Sequence, residues 1–264
     1  MLSANPLVSI ITVNYNGDKY LEQSIQSVIN QTYKKIEFIL IDGGSKDQSI
    51  NIIKKYSDNI SYWHSNSDNG IYDAMNIGIK KSKGEIIGIL NSDDFLYENA
   101  IKNVVNSLKT KIGASYTVGP IDLCDKDGII YGRLKIDGIR KRNNKRLFKM
   151  PAPHMSVYVL RKVFNEIGYY SDSYKYCSDY DFVLRIMKKR YIPADLKYPI
   201  GVFRKGGRGG SLRSWSEGYL IRRKQGLNLL LSIQIFIWSA TKTIIYEVYF
   251  NVSRFLQKLF RKNI

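Results

Sequence analysis

The apolar run from Ile86 to Leu90 ends abruptly in Asn91-Ser92-Asp93-Asp94. Two adjacent carboxylates repel each other, and here they abut a segment that favours burial. A hard divalent cation is the usual answer to such a cluster, and Mg2+ or Mn2+ prefers oxygen ligands. Mg2+ takes one or two protein carboxylates and completes its shell with phosphate oxygens and water. Asn91 can orient a ligand but is itself a weak one. Without a ligand the same residues would form a solvated turn, with Asp94 capping the next helix.

Two other stretches carry related chemistry. In Asp42-Gly43-Gly44-Ser45, an acid followed by two glycines and a serine suits a loop that approaches a ligand closely. Its carboxylate can accept hydrogen bonds from a base or a ribose. The plainer alternative is a tight turn and helix cap. After Asp68-Asn69-Gly70, Asp73 and Asn76 fall on one face of a helix starting near Gly70. That face directs polar groups back towards the same region, unless it is an ordinary capped helix.

The elements that must position these residues alternate. Residues 7–16, apolar and β-branched, predict a buried strand, as do 36–42 and 85–90, with a short strand at 60–65. Leu21, Ile25, Val28 and Ile29 recur at helical spacing, with Asp18 as the expected cap. Residues 45–56 (with Ser45 as cap), 70–84 and 98–110 predict three more helices. Alternation with short links predicts a mostly parallel sheet covered on both faces. In such sheets ligands bind beyond the carboxyl ends of the strands. Those ends carry Asn14-Tyr15-Asn16, Asp42-Gly43, Asp68-Asn69-Gly70 and Asn91 to Asp94, which would converge on one rim.

The second half is less regular. Residues 115–123 and 128–136 predict strands around the turn Asp125–Gly128. Residues 151–170 predict a strand then a helix, and 178–191 an amphipathic helix opening with acids, as the helix dipole favours. Residues 204–215 read as a glycine-rich loop, and the pattern from Ser216 onward is helical.

The net charge is +18 over 264 residues, and it is unevenly spread. Residues 1–132 hold 13 Lys, no Arg and 15 acids; residues 133–149 hold eight basic and one acidic side chain; residues 201–264 hold 12 and two. A basic surface calls for an anionic partner. No helix-turn-helix or zinc pattern appears and the basic residues avoid the half with the best-formed motifs, so no nucleic-acid partner is expected. Cys124 and Cys177 make neither a disulfide framework nor a metal-ligand spacing, which suits a reducing compartment. No run is long and apolar enough for a spanning helix, and Met1–Pro6 carries no basic leader signature. In the tail, aromatics interleaved with Lys and Arg suit helices lying on an anionic membrane surface, or packing on the preceding domain or a second subunit as a homo-oligomer.

The ordered set of motifs, from the strand at Val8 through Asp42-Gly43-Gly44-Ser45 and Asp68-Asn69-Gly70-Ile71-Tyr72-Asp73-Ala74-Met75-Asn76 to Asn91-Ser92-Asp93-Asp94, resembles glycosyltransferase family 2. The resemblance runs over roughly Pro6–Arg190. It implies an α/β GT-A fold and an inverting transferase using nucleotide-diphosphate sugars. It places Asn14, Tyr15, Asp42 and Asp68 near the nucleotide and Asp93 on Mn2+ or Mg2+. The whole set expected to bind the donor is Asn14, Tyr15, Asn16, Asp42, Gly43, Asp68, Gly70, Asp73, Asn76, Asn91, Ser92, Asp93 and Arg208, the last on a glycine-rich loop closing over the diphosphate. Two departures stand out. Gly43 replaces a second acid that often contacts the base, and Asn91 replaces the first acid of the metal motif, which Asp94 would compensate. The family's catalytic base matches Asp179, with Ser178 at an accompanying Glu position. His154 and, less strongly, Asp181 fall on the acceptor side.

These implications assemble into one expectation. Residues 1–215 form a GT-A catalytic domain, with a nucleotide-sugar half over 1–110 and an acceptor half over 111–215; residues 216–264 form a basic amphipathic helical extension. The protein moves a single sugar, from a UDP-sugar by preference, to a membrane-associated glycan or lipid-linked acceptor in surface polysaccharide biosynthesis. It lies peripherally on the cytoplasmic face of the membrane. The alternative is a catalytically inactive scaffold of the same fold, for which Asn91 and Ser178 speak. A nucleotidyltransferase would need a glycine-rich, Arg/Lys-bearing signature near its amino terminus, and none is present.

Overall fold

The computed structural model describes residues 2–136, 150–205 and 211–241. The basic segment 137–149, Arg208 and the tail beyond 241 lie outside the described residues. The chain divides into two compact units, Met1–Gly207 and Arg208–Ile264, where the sequence suggests a boundary at 215/216.

The first unit opens with the expected alternation. Strands β1 (Val8–Asn14), β2 (Ile36–Asp42), β3 (Tyr62–Ser65) and β4 (Ile86–Asn91) are separated by helices α1 (Asp18–Ile29), α2 (Ser49–Lys55) and α3 (Ile71–Lys81). β1 and β4 read as continuous apolar runs because they lie inside a sheet covered on both faces, and Ile10, Ile11, Ile39, Leu40, Ile41 and Ile86 have no exposed surface. β1 pairs in parallel with β2 and with β4, and β2 with β3. The register sets Asn14 beside Asp42 and Asp42 beside Ser65. All four strands therefore end on one rim.

The second half departs from a simple continuation. After β5 (Phe95–Leu96) and α4 (Ala100–Thr110), the stretch expected as one strand splits into β6 (Ala114–Val118) and β7 (Ile121–Cys124), in different sheets. Gly119 and Pro120 turn the chain there. β8 (Ile130–Leu134) pairs with β7 across the predicted turn, where Gly128 has φ +86°. β9 (Val159–Leu160) inserts antiparallel between β4 and β6, followed by α5 (Arg161–Ile167), α6 (Ser178–Lys188), β10 (Ile192–Asp195) and β11 (Gly201–Arg204). The main sheet has the order β10-β6-β9-β4-β1-β2-β3, and a second sheet has the order β5-β11-β7-β8. The result is a mixed α/β fold with a mostly parallel sheet.

In the second unit, α7 (Leu212–Lys224) starts four residues before the expected Ser216, because Ser211 caps it by accepting the Ser214 N–H. A turn at Gly226, φ +87°, leads to a further helix over 229–241. The two helices touch through the rings of Tyr219 and Phe236, 6.4 Å apart.

Candidate functional site

At the end of β2 the Asp42 carboxylate accepts five donors. They are Asn14 Nδ2 at 2.7 Å, Ser45 Oγ and Ser65 Oγ at 2.6 Å, and the Gly44 and Ser45 N–H groups at 3.1 and 2.9 Å. Burial alone would raise its pKa, but these donors, Ser45 and Ser65 foremost, hold it below the usual carboxylate value. A carboxylate has about four lone-pair sites. Its acceptor capacity is therefore filled inside the protein, and Asp42 has no exposed surface. This differs from the expected contact with a base or ribose: Asp42 shapes the loop. Ser45, expected to cap α2, belongs to this network, and Asp47 accepts the Ser49 N–H in its place. Asn16, in a left-handed conformation at φ +50°, ties the first rim loop to Ser45 and Lys46. Tyr15 beside it is 61% exposed.

The half-exposed carboxylate at this corner is Asp68. Its Oδ1 accepts the Gly70 N–H at 2.8 Å, and its Oδ2 lies 2.8 Å from where a Cβ on Gly43 would stand. Gly43, the residue that replaces a second acid, thus makes room for an acid from another strand end. Burial raises the Asp68 pKa, and Asp73 and Asp42 add to that rise against the Gly70 N–H. Gly70 itself has φ +114°, a conformation that favours glycine. Asp73 accepts from the main chain and side chain of Asn69, so it caps the entry to α3. Asn76 is buried and paired both ways with the Tyr170 main chain, its Nδ2 donating to the carbonyl and its Oδ1 accepting the N–H. Asp73 thus points back to the rim loop, while Asn76 is turned into the fold and is not brought to the rim as expected.

At the end of β4 the two acids part company. Asp94 is 1% exposed, and its Oδ1 accepts the Arg204 N–H at 2.9 Å. Burial, reinforced by Asp93, pushes its pKa well above the ordinary value. Asp94 thus faces inward and does not supply the second metal ligand expected of it. Asp93 is only partly buried; burial raises its pKa against the pull of His154 and Arg204. The Arg204 guanidinium donates to the Asp93 carbonyl at 3.1 Å, to Gln23 Oε1 at 2.8 Å, and stacks 4.1 Å over Tyr20. The positive charge beside the acidic pair is therefore a buried arginine holding the turn. Ser92 lies close to the first rim loop, its Oγ 2.9 Å from where a Cβ on Gly17 would be.

Asn91 Nδ2 faces Asp94 Oδ2 at 3.4 Å and His154 Nε2 at 3.3 Å, while its Oδ1 is buried with no hydrogen-bond partner. That orphaned oxygen and the Asp93 carboxylate are a donor set suited to a hard cation whose remaining ligands are phosphate and water. No group of three or more acidic, His or Cys side chains gathers for a metal among the described residues. The set thus fits a cation shared with a substrate, and not an all-protein cage.

In the second half of the first unit, Asp179 lies in the first turn of α6. Its Oδ1 accepts the Tyr72 hydroxyl at 2.9 Å and the Tyr180 N–H at 2.9 Å. Tyr72 also donates to the Tyr176 carbonyl at 3.1 Å; burial and then Asp179 raise its pKa, so it stays a neutral phenol. His154 interacts electrostatically with both Asp179 and Asp93, which oppose the lowering of its pKa by burial. Its lowered pKa makes it a neutral imidazole near neutral pH, with its Nε2 facing Asn91. Asp181, two residues from Asp179, is buried and bonded to Arg185 at 2.8 Å. Arg185 in turn holds the Ile167 and Tyr169 carbonyls, so Asp181 is buried in support of that turn. Ser178 Oγ accepts the Ser171 N–H. Tyr72 and Arg204 are the site residues that the sequence does not announce. The basic residue closing the apolar strand before the glycine-rich loop is the one visible signal for Arg204.

Comparison with known proteins agrees with this architecture. The family model described as glycosyl transferase family 2 matches residues 9–168. An uncharacterized glycosyltransferase of Rickettsia felis is 34% identical over 193 residues, 69% of this chain. The match covers only 32% of that relative, so the chain spans about a third of its length. Among solved structures, S. aureus TarS 1-349 in complex with UDP-GlcNAc has a TM-score of 0.63 at 17% identity, covering 87% of this chain and 70% of that TarS fragment. The mannosyltransferase PcManGT from Pyrobaculum calidifontis, in complex with GDP-Man and Mn2+, has a TM-score of 0.62 at 14% identity, covering 90% and 70%. Both share the fold described above. With most of the first unit spanned by the family model, the chain belongs to glycosyl transferase family 2.

Proposed function

We propose that the protein is an inverting glycosyltransferase. It moves one sugar from a nucleotide-diphosphate sugar, a UDP-sugar by preference, to a hydroxyl of a membrane-associated glycan or lipid-linked acceptor, in surface polysaccharide assembly. The observation that carries this reading is the placement of two acids, Asp93 at the end of β4 and Asp179 in the first turn of α6, the latter held by the Tyr72 hydroxyl from the opening of α3. One acid stands at the strand ends that bind ligands in this fold, the other at a helix opening in the acceptor half. The complexes of TarS with UDP-GlcNAc and of PcManGT with GDP-Man and Mn2+ support a donor of the same class.

In this mechanism Asp68, seated over Gly43, accepts the imide N–H of uracil. The Asn14–Asp42–Ser45 network keeps the loop beneath it in shape. Asp93 would hold the Mn2+ or Mg2+, with Asn91 Oδ1 as a candidate further oxygen ligand, and the Asp94–Arg204 contacts fix the turn. When bound, the metal stabilises negative charge on the departing diphosphate. Asp179 takes the proton of the acceptor hydroxyl as that oxygen attacks the anomeric carbon from the face opposite the nucleotide. The new C–O bond forms as the bond to the β-phosphate oxygen breaks, which inverts the configuration. The Tyr72 hydroxyl and the Tyr180 N–H occupy Oδ1, leaving Oδ2 for the proton.

Asp179→Asn tests this directly. The variant should bind UDP as the parent does, while slow hydrolysis of UDP-glucose or UDP-GlcNAc in Mn2+ falls about 100-fold or more. Equal hydrolysis by both proteins would remove Asp179 from the chemistry. No hydrolysis by the parent with any UDP- or GDP-sugar would favour a scaffold.

A further inference from the structure

Asn91 brings an amide, not a carboxylate, to the end of β4. A carboxylate presents oxygen whichever way it turns, but an amide does not. Its oxygen only accepts, its nitrogen only donates, and the two ends have nearly the same shape. Packing therefore cannot choose between them, and the polar groups around the amide must.

The Asn91 Nδ2 faces two acceptors, His154 Nε2 at 3.3 Å and Asp94 Oδ2 at 3.4 Å, while Oδ1 is buried without a hydrogen-bond partner. Both contacts are long, so what they supply is the sign of the partner at that end. Turned over, the amide would set Oδ1 against the Asp94 oxygen and the Nε2 lone pair. It would also put two N–H donors where an oxygen ligand is wanted. An Asn N–H only donates, so the facing Nε2 accepts, and the proton of the neutral ring sits on Nδ1. The ring is itself held. His154 opens a single 3-10 turn, His154–Ser156, whose carbonyl accepts the Val157 N–H at 2.9 Å. The Ser156 hydroxyl ties that turn to the Pro153 carbonyl at 2.8 Å, and Phe203 meets the imidazole edge-on, 6.5 Å between centroids. Groups that orient a metal ligand in this way act on the metal without touching it.

We propose that His154 is a positioning residue for the cation: its Nε2 accepts an Asn91 N–H and so keeps Asn91 Oδ1 turned towards a metal on Asp93. The inference rests on the cation of the proposed function. It gives His154 a place on the donor side of the reaction, where the sequence suggests the acceptor side.

The test is isothermal titration of UDP into the full chain, with Mn2+ and with EDTA. The proteins are the parent, His154→Phe, His154→Gln, Asn91→Ala and Asn91→Ala/His154→Phe, and the readout is the factor by which Mn2+ tightens UDP. Phe keeps a ring against Phe203 but cannot accept the N–H, whereas Gln offers an amide oxygen at about the reach of Nε2. His154→Phe should lose about tenfold of the factor and His154→Gln should keep most of it, with UDP binding in EDTA unchanged. The double variant should do no worse than Asn91→Ala alone, because the effect passes through Asn91. His154→Phe with the parent's factor, Gln as poor as Phe, losses that add in the double variant, or equal weakening in EDTA each overturns the proposal. A parent without any Mn2+ gain removes the cation, and the inference with it; a gain untouched at His154 removes the inference alone. If His154→Phe does not fold, the parent still decides. The chain has only two histidines, His64 and His154, so metal-free 1H–15N spectra, with His64→Gln for assignment, read the His154 tautomer. A proton on Nδ1 with bare Nε2 is expected, and an Nε2–H would overturn the proposal.

Discussion

Asp42 and Asp68 lie at neighbouring strand ends, yet their surroundings divide the labour between them. Asp42 collects five donors and has no exposed surface, whereas Asp68 is partly exposed and sits where a side chain on Gly43 would have been. Residue type identifies both acids, but only the tertiary contacts say which one is left for a ligand. Replacing Asp42 by Ala leaves Asn14, Ser45 and Ser65 without their common acceptor. Urea unfolding near neutral pH should show a loss of about 3 kcal/mol. The sign with pH follows from its depressed pKa. The stabilisation is fully present above the unfolded carboxylate value, about 4, and is lost as pH falls through the lower folded value. The difference between parent and Asp42→Ala should therefore shrink steadily below about pH 4.

At the scale of elements, α3 is the piece that spans the two halves of the site. Asp73 caps its start beside Asp68, Tyr72 reaches Asp179, and Asn76, one turn further, clasps the main chain of Tyr170. Tyr72→Phe keeps the ring packed against Tyr170, 5.6 Å away, and removes only the hydroxyl. Turnover in UDP-sugar hydrolysis should fall about tenfold, the equivalent of one hydrogen bond, with KM for the donor unchanged. A matching rise in KM would make Tyr72 a support of donor binding instead. The strands and helices of the first half were legible because each is long enough to show a period or a continuous β-branched run. The later ones were not. β5 and β9 are two residues each, too short for any pattern, and β9 enters the sheet antiparallel from a distant point of the chain. The same distance hid Arg204, which meets Asp94 across 110 residues. Asp93 was visible because adjacent acids after an apolar run are a local signal, whereas Asp179 stood out only through the family resemblance. That Asp94 and Asp181 face inward was not visible, because their neighbours had the same residue type.

For the whole molecule, charge and chemistry are separated along the chain. The unit Met1–Gly207 carries the polar rim with Asp68 and Asp93 and the helix opening with Asp179, while Arg208–Ile264 is strongly basic. The central claim is that the rim binds a nucleoside diphosphate through a cation on Asp93. Isothermal titration of UDP into the full chain, with Mn2+ and with EDTA, for the parent and Asp93→Asn, measures this most directly. The parent should bind UDP at least about tenfold more tightly with Mn2+, and Asp93→Asn should lose that gain while melting at the same temperature. Metal-independent binding, or an Asp93→Asn protein that keeps the full Mn2+ effect, would contradict the account.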